Sequence, residues 1–385
     1  MCDLVKEGLV SIMMPAYNAE DYIGEAIESI LIQVYTDWEL IIVNDGSTDG
    51  TAEVASAYHD ERIRLISQAN SGEAAARNTA MGHMAGEYIA FLDADDAYFP
   101  HHLNIAMKAL HEHSEWDGVY TDGIHIDTSG RELPPLSSRR RGPFQGWLFD
   151  KLVWASDVFG PPLCVVIRRE KVLARDLWYD PRIVIGPDWD FFLRYAEYAT
   201  FGYRGEITCK YRIHLANISL RANQQVKLDS LALCRKKAIQ LESFSKCTVE
   251  TRGFVFYDLL VNLLDGNPVE QDAITRWPQF LELPREEQAR LLRLVAGRSM
   301  AGGIAPDYPK AWLKRSSMLQ PGDRRSLMMS LLLGASPRLA GAILRRRYSR
   351  QADSALSSPF SDLLGTEFNA ELETDVSFGS GRSHS

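Results

Sequence analysis

Over its first hundred residues the chain alternates short apolar runs with segments of helical spacing. Residues 9–14 (Leu-Val-Ser-Ile-Met-Met) read as a strand that Pro15 ends. Residues 19–33 place Tyr22, Ile23, Ala26, Ile27, Ile30 and Leu31 on one side, as an amphipathic helix does. Residues 39–43 form a short, nearly all-apolar strand. The polar turn 44–50 (Asn-Asp-Gly-Ser-Thr-Asp-Gly) then offers a cap to a helix that runs to about Tyr58. A third strand is predicted over 62–67, a helix over 72–84 and a fourth strand over 88–92. Strands alternating with helices of this size predict a parallel sheet with crossover helices. In such sheets ligands collect at the carboxyl ends of the strands. The polar segments 15–18, 44–49, 68–72 and 93–96 all fall at such ends.

Further along, the pattern predicts a helix over 101–114, extended chain over 116–126 and a mobile loop over 129–143, which holds Pro134, Pro135 and Arg139–Arg141. A strand follows at 163–167, then a helix at 188–198 with Phe191, Phe192 and Tyr195 inward, then a strand at 207–213. After about residue 216 the period turns helical, over 222–245, 253–265, 284–299 and 323–347. The last 35 residues are rich in Ser, Gly and acids, which predicts disorder. The expected organisation is an α/β domain over 1–220, a helical region over 221–350 and an acidic tail over 351–385.

The length of 385 residues leaves room for a sizeable core. A net charge of −9 argues against nucleic acid as a partner. The charge is uneven: residues 323–350 carry seven Arg against one Asp, and residues 351–385 carry six acids against one Arg. The five cysteines are scattered, odd in number and without a CxxC pair, so a reducing, cytoplasmic compartment is expected. Asp3 and Glu7 near the start argue against a signal peptide. The nearest approach to a membrane span, Leu327–Leu344, is interrupted by Pro337 and Arg338, so none is expected.

The densest chemistry is Phe91-Leu92-Asp93-Ala94-Asp95-Asp96 at the end of the fourth strand. Three carboxylates in four residues repel one another unless a cation neutralises them. Hard oxygen ligands at that density favour Mg²⁺ or Mn²⁺ over zinc, and such a metal usually serves a phosphate-bearing ligand. The other reading is a solvated acidic turn without an ion.

Four blocks of the sequence together resemble the inverting glycosyltransferases of family 2, with GT-A fold. They are Val10–Asn18, Val43–Asp49, Ala76-Arg77-Asn78 and Gly86–Asp96, which match in order and spacing. The likeness is strong over residues 9–115, thinner to about 220 and ends there. It implies the GT-A (nucleotide-diphospho-sugar transferase) fold: an open, mostly parallel sheet with helices on both faces, here followed by a C-terminal helical region. It further implies a metal-dependent, hexosyltransferase-type enzyme that moves a sugar from a nucleotide donor, UDP-linked in most members, to an acceptor hydroxyl in polysaccharide or glycoconjugate synthesis.

The resemblance assigns the nucleotide to Pro15, Ala16, Tyr17, Asn18, Asp45, Gly72, Arg77, Asp93 and Ala94. Asp45 would accept the imide N–H of uracil, and Tyr17 would lie against the base or pack as a rim aromatic. Arg77 would serve the diphosphate or hold the acidic site together. Asp93 would serve the ribose or position its loop, and Asp49 is equally a helix cap. Asp95 would bind Mn²⁺ or Mg²⁺, with His214 a second contact to metal or diphosphate, and Arg212 a contact to phosphate. Ile185–Arg194 resembles the family's late acidic motif, with Pro187 in place of the usual Glu. Asp188 aligns with the catalytic base, Asp190 is its rival, and a helix cap is the plain alternative for Asp188. Trp147, Trp154 and Trp189 are sugar platforms or core, and Asp122 lines the acceptor side or a turn.

The acceptor class stays open among sugar, lipid-linked and protein hydroxyls. A phosphohydrolase with an aspartate nucleophile is disfavoured, because its Asp pair follows the first strand. A nucleotidyltransferase would need a Gly-rich loop that residues 13–18 lack. A non-catalytic sugar-nucleotide-binding or scaffold protein remains the alternative class. The arginines of 324–347, set among leucines, either meet an anionic membrane surface or cover a helix packed on the protein. With the first, the expected place is the cytoplasm, at the inner face of the membrane.

Overall fold

The computed structural model describes residues 5–214 and 217–352. The predicted acidic tail from residue 353 onward lies outside them. The chain forms two compact units, the first ending at Asn223 and the second beginning at Gln224.

The first unit is built on one mixed sheet. Its strands are β1 (Lys6–Ala16), β2 (Trp38–Asp45), β3 (Ile63–Gln68), β4 (Gly86–Phe91), β5 (Ala97–Tyr98), β6 (Gly118–Ile126), β7 (Glu132–Pro135), β8 (Gly146–Trp147), β9 (Val165–Arg168) and β10 (Thr200–Arg212). They lie in the order β3-β2-β1-β4-β9-β6-β10-β5, with β7 on β6 and β8 on β10. The helices are α1 (Ile23–Leu31), α2 (Thr51–Ser56), α3 (Glu73–Gly82), α4 (His102–Glu112), α5 (Phe149–Trp154), α6 (Arg169–Ala174) and α7 (Pro187–Ala196).

The block β3-β2-β1-β4 is parallel throughout, as the strand–helix alternation predicts. Beyond it β9 runs antiparallel to both neighbours, β4 and β6, while β6 and β10 are again parallel to each other. β1 is near-continuously apolar because both its faces are covered. Val10, Ile12 and Met14 pack with α1 residues Ile23, Ile27 and Ile30. Met13 packs on the other side with Ala76 and Ala80 of α3 and Phe191 of α7.

Three expectations for this unit are corrected. Pro15 does not end β1, which runs to Ala16 and pairs Pro15 with Val43 of β2. Pairing to β4 stops at Met13, so the proline's missing N–H faces no partner strand and costs nothing. The loop 129–143 is not free: β7 lies on β6, and the Arg140 guanidinium donates to the carbonyls of Thr121 (2.7 Å) and Phe159 (3.0 Å). β10 begins seven residues before the predicted 207, since Thr200–Tyr203 pair with β6 and β8. A register shift between Tyr203 and Ile207 breaks the alternation that would have announced this.

The second unit is helical. Its principal helices are Gln224–Gln240, Val249–Tyr257, Arg285–Ala301, Asp307–Leu319, Arg324–Ala335 and Pro337–Ala352. The single helix expected over 323–347 is two, because Pro337 cannot continue the helix before it and opens the next. Leu291, Leu292, Val295 and Trp312 are fully buried at its centre. No helix among the described residues is long and apolar enough to cross a membrane. Cys164, Cys209, Cys234 and Cys247 are all buried free thiols.

One glycine, at the end of β4 away from the acidic turn, fixes how closely β1 and β4 approach. A Cβ on Gly86 would sit 2.5 Å from Leu9 O and 2.8 Å from Ser11 N, both main-chain atoms of β1. Gly86→Ala is therefore expected to cost about 1–3 kcal/mol, read as a lower urea midpoint at unchanged slope. A variant as stable as the parent would contradict this close approach of β1 and β4.

Candidate functional site

The carboxyl ends of β1, β2, β3 and β4 bring four polar segments together. The β1 end and the β2 turn are tied to each other. Asn18, at φ 49°, accepts from Thr48 N (2.8 Å) and donates its own N–H to Ser47 Oγ (3.1 Å). Asp49 accepts from Thr51 N (3.1 Å) and Glu20 N (3.2 Å), bracing the turn one residue ahead of Gly50, the N-cap of α2. Tyr17 is left 51% exposed at the rim. Ala16 and Pro15 form the strand end beside it.

Asp45 is buried, and its carboxylate organises the loop after β3. Oδ1 accepts from Gln68 Nε2 (2.7 Å) and Ser71 N (2.9 Å), and Oδ2 from Gly72 N (2.8 Å). One acceptor position remains on Oδ2. Gly72 stands at φ 87° just before α3, a conformation that side chains resist.

Beneath the acidic turn lies Arg77, 1% exposed. Its Nε donates to Glu73 Oε1 (2.9 Å) and its Nη2 to Asp93 Oδ1 (2.7 Å). Burial opposes the charge, but Asp93 and Glu73 outweigh it and hold the guanidinium pKa well above its ordinary value. Arg77 thus has the contacts of an ion pair that holds the acidic site together. Asn78 clasps the chain ahead of α7: Nδ2 donates to Tyr179 O (2.9 Å) and Oδ1 accepts from Tyr179 N (2.8 Å).

The turn Asp93–Asp96 is also gripped from β10. The Arg212 main-chain N donates to Asp96 Oδ1 (2.8 Å) and its Nε to the Asp95 carbonyl (2.8 Å), while its guanidinium pairs with Glu25. Arg212 is buried, and its guanidinium is engaged by the Asp95 and Asp127 carbonyls and by Glu25. His214 Nε2 lies 2.8 Å from Asp95 Oδ2, with its ring beside Tyr22.

Burial and neighbouring charge raise three of the acids, Asp93, Asp96 and Asp188. Burial, against the pull of Arg77 and with help from Glu73, Asp95 and Asp188, pushes Asp93 up to about 7. Burial and the charges of Asp95 and Asp93 push Asp96 well above the carboxylate range, and its Oδ2 has no partner among the described residues. Asp188 is raised by burial and by Glu73, with Arg77 opposing.

Asp188 does not cap its helix. Gly186 is the N-cap in left-handed conformation, and Pro187 takes the first helical position, where a missing N–H is harmless. That places Asp188, half-buried, in the second position and within electrostatic reach of Arg77 and Asp93, where it forms no ion pair among the described residues. Asp190 points to a different partner: its Oδ2 takes both Nε (3.0 Å) and Nη2 (2.7 Å) of Arg194. Asp122 is likewise structural, accepting from Gly123 N (2.9 Å) and Ser137 N (3.0 Å). Trp189 is core and donates to Leu152 O (2.8 Å). Trp147 is exposed on β8, and Trp154 is half-buried.

A divalent cation would find few protein ligands here. Among the described residues no group of three or more His, Cys, Asp or Glu forms a metal cage. Asp95 and His214 offer two ligand atoms, and the unpartnered Asp96 Oδ2 lies in the same turn. Mg²⁺ and Mn²⁺ sites of this kind complete their shell with phosphate oxygens and water. The residues fit such an ion.

Several participants went unnoticed in the sequence. Glu73 stands at i, i+4 to Arg77, a spacing that could have announced the pair. Asn78 lies within a noted block but had no role. Glu25 and Arg212 are 187 residues apart, and nothing local links them.

Comparison with known proteins bears on this arrangement. Residues 11–172 match Glycosyl transferase family 2. The match runs from β1 into α6 and stops before Asp188 and His214. The chain is 44% identical over 109 residues to a putative teichuronic acid biosynthesis glycosyltransferase, TuaG, of Bacillus subtilis, covering 28% of this chain and 43% of that protein. It is 42% identical over 103 residues to WfgD of Escherichia coli, a UDP-Glc:α-D-GlcNAc-diphosphoundecaprenol β-1,3-glucosyltransferase, covering 26% and 41%. An uncharacterized glycosyltransferase of Rickettsia bellii is 33% identical over 159 residues, covering 41% and 22%. The chain thus spans less than half the length of each of these relatives. In architecture it resembles S. aureus TarS 1–349, crystallised with UDP-GlcNAc, at TM-score 0.54 and 18% identity over 82% of this chain and 91% of that one. The fold is of the GT-A type, an open α/β sheet followed by a helical region.

The two acids of α7 should separate in stability. Asp190→Asn breaks a buried pair and is expected to cost about 3 kcal/mol. Asp188→Asn removes a carboxylate whose charge the fold disfavours, so its melting temperature should equal or exceed the parent's. Thermal melts of both variants decide, and a strongly destabilised Asp188→Asn would contradict this geometry.

Proposed function

We propose that this chain is an inverting glycosyltransferase that moves a sugar from a UDP-sugar to an acceptor hydroxyl in saccharide synthesis. The observation that carries the reading is the meeting of Asp188 with the Asp93–Asp95 turn in one cluster, with Asp188 lacking an ion partner of its own. Support comes from the family match over 11–172 and from the relatives that act in teichuronic acid synthesis and on a diphosphoundecaprenol-linked acceptor.

In this reading Pro15–Asn18, Asp45 and Gly72 frame the uracil, with the remaining lone pair of Asp45 as acceptor for the imide. Asp93 and Ala94 face the ribose, and Arg77 keeps Asp93 in place. Asp95 and His214 would hold Mn²⁺ or Mg²⁺, which would supply positive charge opposite the diphosphate. Asp188 takes the proton of the acceptor hydroxyl as that oxygen attacks the anomeric carbon opposite the diphosphate, which inverts configuration. Burial and Glu73 raise Asp188 above the ordinary aspartate value, the direction that strengthens it as a base. The acceptor is a sugar hydroxyl on a lipid-linked chain, and the reaction takes place on the cytoplasmic side of the membrane.

Donor binding is read by thermal shift with UDP. With ligand at a hundredfold excess over Kd the expected stabilisation is about 2.7 kcal/mol and requires Mn²⁺ or Mg²⁺, and Asp95→Ala should abolish the metal's contribution. Equal UDP response with metal and with chelator would sink the metal assignment. Turnover of a UDP-sugar panel should fall about 10²–10⁴-fold in Asp188→Asn with UDP affinity unchanged, the usual effect of losing a general base. If Asp190→Asn is inactive as a folded protein and Asp188→Asn keeps its rate, the base is misassigned.

A further inference from the structure

The helices Asp307–Leu319, Arg324–Ala335 and Pro337–Ala352 of the second unit turn apolar side chains outward. In Arg324–Ala335 the inward face carries Ser326 and Leu333, both buried. The opposite face carries Leu327 (58% exposed), Met328 (69%) and Leu331 (64%) at i, i+1, i+4 spacing. Met318 of the preceding helix is 71% exposed, and Leu339 and Ile343 of the following one are about half exposed. Packing on the protein is therefore not what these residues do. Large apolar side chains grouped in this way mark an interaction surface.

The same surface is basic. From Asp307 to Arg346 the chain holds eight Lys and Arg against two Asp. One of the two acids, Asp323, is taken up by Arg293 and Ser326. Lys310, Lys314, Arg324, Arg325, Arg338 and Arg345 have no ion-pair partner among the described residues. A groove of about 440 Å³ opens where the first two helices meet, with Lys310 and Lys314, Met318 and Leu327 among its lining. Cations and exposed apolar side chains thus share one mouth.

We propose that this surface docks on an anionic lipid bilayer, with Leu327, Met328, Leu331 and Met318 entering the headgroup boundary and the unpaired Lys and Arg meeting lipid phosphates. The occupant follows from charge complementarity. A neutral apolar partner would leave six cations unanswered, and an acidic peptide would not need a row of protruding leucines and methionines. Interfacial helices combine these two features. No described helix is long and apolar enough to cross a bilayer, so the contact is made from one side. This inference goes beyond the catalytic reading and does not depend on it.

The test uses the full chain and flotation with vesicles, without donor or acceptor. Binding is expected to vesicles of equal parts phosphatidylglycerol and phosphatidylcholine, to weaken sharply in high salt and to be absent with phosphatidylcholine alone. Each cation near an anionic surface strengthens binding about fivefold, so Arg324→Gln with Arg325→Gln should weaken it more than tenfold. Leu327→Glu with Leu331→Glu, both exposed, should abolish it while circular dichroism and the thermal melt stay those of the parent. No flotation of the folded chain with anionic vesicles overturns the proposal. So does undiminished flotation of the glutamate variant. A change of oligomeric state in that variant by light scattering, without an effect on flotation, assigns the face to a second copy of the chain and overturns it as well. UDP response of the same samples is read separately, so failure of either reading leaves the other standing.

Discussion

The buried guanidinium of Arg77 is the interaction on which the candidate site depends. A full charge sits beneath the ends of β1 and β4, 1% exposed, and is answered by Glu73 and Asp93 at 2.9 and 2.7 Å. Neither side of this arrangement is stable alone. Remove the arginine and two acids face Asp95 and Asp188 without a counter-charge. Remove the acids and a cation is stranded under the sheet, a situation worth several kcal/mol. The pair therefore sets where the turn after β4 can lie.

A second grip comes from the far end of the unit's sequence. Arg212 and His214, at the end of β10, hold the same turn through the Asp95 carbonyl, the Asp96 carboxylate and the Asp95 carboxylate. The turn is thereby fixed from two elements that reach it from opposite sides of the sheet order. Within it burial, aided by the neighbouring acids, raises Asp93 and Asp96. A site of this kind favours the arrival of positive charge and of a proton.

The second unit makes a different physical statement. It buries a core around Trp312 and Val295 yet leaves leucines and methionines outside, among cations. A helix whose inward face is already satisfied by Ser326 and Leu333 gains nothing for folding from Leu327, Met328 and Leu331.

The amino-acid sequence by itself determines much of this molecule. The strand and helix alternation to residue 92, the carboxyl-end position of the polar segments, and the placing of Asp45 and Asp93–Asp96 at strand ends follow from periodicity and from motif order. Local pattern decides local structure, and parallel topology decides which ends meet. What the tertiary structure alone decided is what each charged group touches. Sequence left Arg77 between phosphate and acid, Asp188 between base and cap, Asp190 as a rival, and Arg212 on the phosphate. Folding put Arg77 under Asp93, gave the cap to Gly186, gave Asp190 to Arg194 and gave Arg212 to Glu25 and the acidic turn. These pairings join residues up to 187 positions apart. They are chosen by burial, which makes an unanswered charge costly, and burial is a property of the assembled sheet that no local pattern contains.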